Sequence, residues 1–208
     1  MNKSIKKSIL AVLGIIIITV LGTSLAFFYA KVTTNEGEIT GRTFDFGASI
    51  NLTTIYRATN LVPLRDERVI RALTKEENKC IDINNRDVCS LYQITLSNTG
   101  DRVALSPYIT TTETTYTASN IRCQLYDSEY NAVSDIITPS NTVGDKVYIT
   151  LNSSNLTINL GSTNQSYYLV IWLTDTLSPQ PNDYNKIYNG TITFDGGEAG
   201  EVYVDFTA

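Results

Sequence analysis

The segment Ser166–Asp175, SYYLVIWLTD, is apolar at both its odd and its even positions. In an extended strand, successive side chains point to opposite faces, so Leu169 and Ile171 share one face while Val170 and Trp172 share the other. A strand with water on one side alternates apolar and polar residues, and a strand that is apolar on both faces is covered on both. The segment therefore predicts a central strand between two layers, with Trp172 as a core anchor.

The segments around this strand alternate apolar and polar residues with a period of two, and turn-forming sequences separate them. The apolar positions are Tyr92, Ile94 and Leu96; Val103 and Leu105; Ile121, Cys123 and Leu125; Val147, Ile149 and Leu151; Leu156, Ile158 and Leu160; Ile192 and Phe194; and Val202, Val204 and Phe206. We expect Val147–Leu151 to pair with Leu156–Leu160, and Ile192–Phe194 to meet Val202–Phe206 across a glycine-rich tip. Such a pattern predicts an all-β antiparallel sandwich, jelly-roll or Ig-like.

One segment, Leu64–Leu73, has a helical pattern. Val69, Ile70 and Leu73 fall near one face of a helix, and Asp66 is placed to cap its start. The segment is short, so it predicts a minor helix within a β fold.

The stretch NKCIDINNRDVCS holds Cys80 and Cys89. With Asn84 and Asn85 at the tip of a two-residue hairpin loop, the two cysteines face each other at a non-hydrogen-bonded position. The Cα atoms of such a pair are about 4.5 Å apart, which a disulfide bridges. We therefore expect a Cys80–Cys89 disulfide.

The same register makes Ile81 face Val88 and Asp82 face Asp87. Two alternatives remain open: two reduced strand cysteines, or a surface calcium ion at the paired acids. A zinc site is not expected, because the chain has no histidine and only Cys123 to spare. Cys123 alternates with apolar neighbours and is interpreted as a buried, inert thiol.

The N-terminus has the form of an export signal. Three lysines precede Ile9–Tyr29, a run without charge, and small residues precede a cleavage site between Ala26 and Phe27. We expect residues 1–26 to be a signal peptide and residues 27–208 to form one sandwich domain. The uncharged run is also long enough to span a bilayer, so a retained membrane anchor is the alternative. Either interpretation places the C-terminal part outside the cell.

Export agrees with a disulfide, since disulfides persist in oxidising compartments. Loss of the three N-terminal lysines moves the formal net charge from −5 to −8. Such an acidic chain argues against binding nucleic acid or an anionic membrane surface by charge. We therefore expect contact with a membrane only through the N-terminal segment.

The residue types of common catalytic sites are missing. Without histidine, the chain has no Ser-His-Asp triad, no Cys-His pair and no H-E-x-x-H zinc site. We expect no enzyme activity, cofactor or metal. A hydrolase using two carboxylates is a further alternative, although Asp45, Asp82, Asp87 and Asp175 fit solvated turn or edge positions.

The signal junction, LGTSLA followed by FFYAKV, resembles that of the TasA/camelysin family of secreted Gram-positive bacterial proteins. The Gly22-Thr23 pair, the small residue Ala26 and the aromatic start Phe27-Phe28 stand in the family's places. The phrase LSNTGD is similar to a strand-turn phrase of that family. Camelysin-like members are assigned metalloprotease activity, which the absence of histidine does not support here.

The resemblance implies a jelly-roll-like sandwich and assembly into extracellular fibres of a biofilm matrix, in which the mature N-terminal segment adds as a strand to a neighbouring subunit. Here the segment comprises Phe27, Phe28, Tyr29, Ala30, Lys31 and Val32. We expect an exported structural protein whose partners are copies of itself or other surface proteins. The alternative is a membrane-tethered adhesin or carbohydrate-binding module that uses loops such as Leu177–Asn185.

Overall fold

The structure is a computed structural model. It describes residues 47–75, 79–100, 103–116, 120–152, 165–180, 183, 185–197 and 200–208, and the backbone of residues 29–34, 37–42 and 156–158. The elements in chain order are β1 (Tyr29–Thr34), β2 (Gly37–Arg42), β3 (Ala48–Tyr56), a 3-10 turn (Asp66–Arg68), α1 (Val69–Leu73), β4 (Ser90–Asn98), β5 (Val103–Thr114), β6 (Ile121–Tyr126), β7 (Lys146–Tyr148), β8 (Leu156–Ile158), β9 (Gln165–Leu173), β10 (Tyr188–Asp195) and β11 (Glu201–Thr207).

Two sheets face each other. Sheet I has the strand order β11-β10-β5-β7, with β8 also paired to β5, and sheet II has the order β3-β4-β9-β6. The named strands pair antiparallel throughout, and β1 and β2 form a separate two-stranded hairpin. The predicted all-β antiparallel sandwich with one short helix is confirmed.

The main core lies between the two sheets. Sheet II contributes Ile94 and Ile171, and sheet I contributes Ile109, Ile192 and Phe194, each at most 1% exposed. These positions come from the period-two alternation of the sequence, because every second side chain of a strand reaches the same face. The core therefore forms where the apolar faces of the two sheets meet.

A second, smaller core covers the outer face of sheet II. Val170 and Trp172 of β9 pack there against Val69 and Leu73 of α1 and against the Cys80–Cys89 bridge. The helix and the cysteine loop thus form a third layer, which keeps the outer side chains of β9 out of water.

Strand β9 lies between β4 and β6 in sheet II. Its residues Leu169 to Leu173 are 0–1% exposed, the odd ones in the main core and the even ones in the outer core. The prediction of a central strand covered on both faces, with Trp172 as a core anchor, is confirmed.

One predicted strand pairing is confirmed and another is wrong. Ile192 lies opposite Val204, as expected for the β10–β11 hairpin. Strands β7 and β8, however, do not pair with each other, since β7 pairs with Tyr108–Thr110 and β8 with Val103–Leu105 of β5. Strand β5 has 12 residues, which is long enough to pair with both short strands at separate positions along its length.

The helical segment is shorter than its pattern indicates, and Asp66 does not cap it. The helical residues begin at Asp66, and the 3-10 turn has no side-chain cap. The Asp66 carboxylate instead accepts hydrogen bonds from Trp172 Nε1 and Thr174 Oγ1, both at 2.8 Å. The acid is used to satisfy the buried indole N–H, because an unpaired buried donor is costly.

The predicted signal peptide or anchor, residues 1–26, and the cleavage site between Ala26 and Phe27 lie outside the described residues. The division into residues 1–26 and a domain of residues 27–208 stays a prediction. Among the residues that the structure describes, no helix has the length and apolar character needed to cross a bilayer.

The role of β9 is tested by a matched pair of isoleucine substitutions. Ile171→Ala removes a side chain that is 0% exposed and leaves a cavity, so we expect a loss of about 2–5 kcal/mol in the free energy of unfolding. Ile83→Ala removes the same atoms from a side chain that is 94% exposed, so the loss should stay within about 0.5 kcal/mol. Urea unfolding measures both, and equal losses would contradict the assignment.

Candidate functional site

The predicted disulfide is present. Cys80 and Cys89 are joined, their Cα atoms are 4.8 Å apart, and both residues are 0% exposed. A closed loop of this size stabilises the fold by roughly 2–3 kcal/mol through loss of unfolded-chain entropy. The bridge therefore holds the cysteine loop, residues 80–89, against the outer face of sheet II.

The predicted register of this loop is wrong by one residue. Ile81 pairs with Asp87 rather than with Val88, and the tip is wider than two residues. The reason is Asp82, whose Oδ1 accepts the backbone N–H groups of Asn84 at 2.8 Å and Arg86 at 2.9 Å. The cysteines still lie within bridging distance because Cys80 itself adopts a positive φ of 62°.

Asp87 joins the cysteine loop to the segment that follows β3. Its carboxylate accepts hydrogen bonds from the Tyr56 hydroxyl at 2.5 Å and from the backbone N–H and hydroxyl of Thr59 at 2.7 and 3.0 Å. Burial by itself raises the pKa of Asp87, but the hydrogen bonds from Tyr56, Thr59 and Asn60 outweigh it and leave the pKa below its usual value. Burial and the Asp87 contact raise the pKa of Tyr56 to about 12.

The two acids proposed for a calcium ion have different partners. Asp82 forms an ion pair with Arg86 at 2.6 Å, while Asp87 faces Tyr56 and Thr59. Within the described ranges no group of three or more acidic, cysteine or histidine side chains is placed to hold a metal. The carboxylate pair is therefore occupied by contacts within the chain.

Two unpaired strand edges meet on one flank of the sandwich, which we call the edge flank. Among the described residues, strand β3 pairs only with β4, and β11 pairs only with β10. The two strands lie against each other, one from each sheet, and β2 runs beside both. Their outer backbone groups have no strand partner within the described part of the chain, and such edges are templates for pairing with another chain.

The predicted assembly segment begins outside the described residues and continues into β1. Phe27 and Phe28 are not described, while Tyr29–Thr34 pairs with Gly37–Arg42 of the same chain. The segment is therefore half of a hairpin, not an isolated strand, and one edge of that hairpin has no partner in the described residues.

A cleft of about 680 Å³, which we call the end cleft, opens where β5 ends and β10 begins. Its polar lining includes Arg57, Asn60, Glu113, Asp183, Lys186 and Asn189. Asn189 donates through Nδ2 to Glu113 at 2.7 Å, but its buried Oδ1 accepts no hydrogen bond from any described residue. A buried acceptor without a donor costs free energy, so it indicates a place for a ligand or water donor.

The floor of the end cleft joins a buried carboxylate with an aromatic ring. Asp183 is 6% exposed and accepts hydrogen bonds from Asn120 at 2.7 Å and Gln180 at 3.1 Å. Burial and the Asp183 charge raise the pKa of Tyr116 to about 12, so its hydroxyl keeps its proton at neutral pH. The cleft therefore combines acceptors, donors and an aromatic ring.

The other residues singled out in the sequence have structural places. Cys123 is 0% exposed, and burial raises the pKa of its thiol far above the usual value, as expected of an inert thiol. Asp175 lies 3.8 Å from Arg65, and Asp45 falls outside the described residues. Of the predicted contact loop, Asp183 and Asn185 line the end cleft.

Sequence reasoning missed β3 and most of the end cleft. The β3 sequence, ASINLTTIY, alternates at Ile50, Leu52 and Thr54 but has exposed residues at most positions, as an edge strand does. Arg57, Glu113 and Asn189 come from distant parts of the chain, and no local spacing signals that they share a cleft.

Comparisons with known proteins identify no family for this chain. No protein-family model matches the chain, and no curated protein matches it. The solved structure of Peruvianin-I, a cysteine peptidase from Thevetia peruviana latex, matches at 15% identity over 73% of this chain and 77% of that chain, with a TM-score of 0.18. A likeness this low carries no argument about fold or activity.

The Asp87 hydrogen bonds predict a pH-dependent stability. Because its pKa is lower in the folded state than the value of about 3.9 in an unfolded chain, the stabilisation is complete above that value. It is lost as the pH falls through the folded-state pKa. We expect Asp87→Asn to lower the free energy of unfolding by about 1–3 kcal/mol at pH 7, with a smaller difference near pH 2.

Urea unfolding at both pH values measures the effect. Glu67→Gln is the control, since Glu67 is exposed and has no hydrogen-bond partner among the described residues. A loss for Asp87→Asn that is equal at both pH values would contradict the role of its charge.

Proposed function

We propose that the protein is an exported structural protein of the cell surface or extracellular matrix that self-associates by strand addition. The observation that carries the proposal is the edge flank, where β3 and β11 both lack an outer backbone partner within the described residues. Strand β2 of the same chain lies beside both edge strands, so addition takes the form of an exchange, in which the hairpin of a neighbouring copy occupies this place.

Several features of the chain support this proposal. The disulfide fits an oxidising compartment, and the basic, then uncharged, N-terminus fits export. The signal junction and the LSNTGD phrase resemble the TasA/camelysin family of matrix fibres. A missing histidine removes the commonest catalytic base and metal ligand, which favours a structural role over an enzymatic one.

The exposed side chains of β3 also fit a pairing edge. Nine residues run without proline or lysine, and Ile55 is 43% exposed. Soluble proteins usually protect such an edge with lysine, proline or a bulge. Within the described β3–β4 ladder the register shifts only at Ile55, between Thr54 and Tyr56, and no lysine or proline protects the residues before it.

A second candidate function is carbohydrate binding at the end cleft. The orphan acceptor Asn189 Oδ1 favours it, because a sugar hydroxyl both donates and accepts hydrogen bonds. The charges of Arg57 and Lys186 balance those of Glu113 and Asp183, which suits a neutral polar ligand. The volume lies in the range of small-molecule clefts.

Deletion of Phe27–Val32 tests the first proposal. We expect the shortened mature chain to keep the circular dichroism spectrum of a β protein and to remain monomeric in light scattering and electron microscopy, since the adding strand is gone. Fibres that form in spite of the deletion would remove this mode of assembly.

A matched pair of substitutions locates the receiving edge. Ile55→Lys places a charge on the free edge of β3 and should abolish polymerisation. Ile187→Lys adds the same charge at a loop residue of similar exposure, 44% against 43%, and should leave polymerisation unchanged. The proposed receiving edge would be wrong if both variants polymerise like the parent chain.

The second candidate is tested by titration of neutral oligosaccharides, such as chitin and cellulose hexamers, followed by NMR or calorimetry. We expect Asn189→Ala to weaken binding by about tenfold, since it removes one buried hydrogen bond to a sugar hydroxyl. Asn51→Ala, an exposed substitution on β3, is the control. Equal binding by the two variants, or none by the parent chain, would eliminate this candidate.

A further inference from the structure

A basic cleft of about 470 Å³ lies between the helical segment and the cysteine loop. Its basic side chains are Arg65, Arg68, Arg71, Lys75 and Arg86, and its acidic ones are Asp82 and Asp175. The chain as a whole carries a formal net charge of −5. Positive charge is therefore concentrated at this cleft, although the chain as a whole is acidic.

The acidic side chains of the basic cleft are already engaged. Arg86 pairs with Asp82 at 2.6 Å, and Arg65 lies 3.8 Å from Asp175. Lys75 Nζ donates to the backbone oxygen of Ile81 at 2.5 Å.

The two other basic side chains of the cleft are Arg68 and Arg71. Both are exposed, and neither side chain has an ion-pair or hydrogen-bond partner among the described residues, while the backbone N–H of Arg68 donates to the Arg65 oxygen. They stand three residues apart, on either side of the start of α1, where side chains are neighbours and like charges repel. An anion held between them would relieve that repulsion, and guanidinium groups offer paired N–H donors for the oxygens of phosphate or carboxylate.

The walls of the basic cleft are fixed before any ligand arrives. The Cys80–Cys89 bridge closes one wall, and Cys80 N–H donates to the Ala72 oxygen of α1 at 3.1 Å. Leu64 N–H donates to the Leu173 oxygen at 2.8 Å, which attaches the other wall to β9. A site with fixed walls loses less entropy on binding than a mobile one.

We propose that the basic cleft binds an oxyanion group, phosphate or carboxylate, of a multivalent anion, with Arg68 and Arg71 as its main ligands. The site is separate from the edge flank and from the end cleft, so it does not depend on the proposed assembly. Because the whole chain is acidic, it repels broad anionic surfaces. The basic cleft is therefore the place where a single anionic group can bind.

Calorimetric titration of the oxidised mature chain with tripolyphosphate and with citrate, at one ionic strength set with sodium chloride, tests the proposal. We expect saturable binding in at least one titration, a raised Tm because the anion binds the folded state, and weaker binding at higher salt. The two titrations distinguish a phosphate site from a carboxylate site, and binding of either anion supports the proposal.

Arg68→Gln and Arg71→Gln should each weaken binding by about tenfold, since each removes charge-assisted hydrogen bonds. Lys146→Gln is the control, because it removes one positive charge from an exposed side chain of β7, outside both clefts, and should change binding less than twofold. Absence of binding to both anions at low salt, or an equal loss in the Lys146→Gln control, would overturn the proposal.

Discussion

The burial of β9 on both faces is the constraint on which the rest of the architecture depends. A strand with apolar side chains on both faces needs a layer on each side. Sheet I supplies one, through Ile109, Ile192 and their neighbours, and the helix with the cysteine loop supplies the other. Without the outer layer, Val170 and Trp172 would face water, and sheet II would present a large apolar surface.

The outer layer is small and relies on more than apolar contact. A covalent bridge closes its loop at Cys80 and Cys89, Asp87 ties the loop to Tyr56 and Thr59, and Asp66 pairs with the indole of Trp172. Few apolar residues can be buried in a layer of this size, so directional contacts supply the specificity that packing alone does not.

The edge flank, the end cleft and the basic cleft lie on different parts of one scaffold. The edge flank offers backbone N–H and C=O groups, which pair with another strand through hydrogen bonds. The end cleft joins side chains of balanced charge, and the basic cleft joins five basic side chains with two acidic ones. The proposed self-association and the proposed ligand binding therefore use different groups of the scaffold.

The amino-acid sequence by itself determined the elements whose patterns are local. Period-two alternation predicted most strands of the two sheets, apart from β3, and the pairing of β10 with β11. Two-sided apolarity predicted the place of β9, and the cysteine spacing predicted the bridge. These inferences hold because side-chain direction in a strand depends only on the residue's position along it.

Only the tertiary structure decided the rest. The register of the cysteine loop depends on the Asp82 carboxylate, and the pairing of β7 and β8 depends on the length of β5. Asp66, predicted to cap the helix, instead accepts a hydrogen bond from Trp172. Both clefts and the edge flank join residues far apart in the chain. Local pattern cannot report them, because the free energy that places these groups together comes from contacts that exist only after the layers have packed.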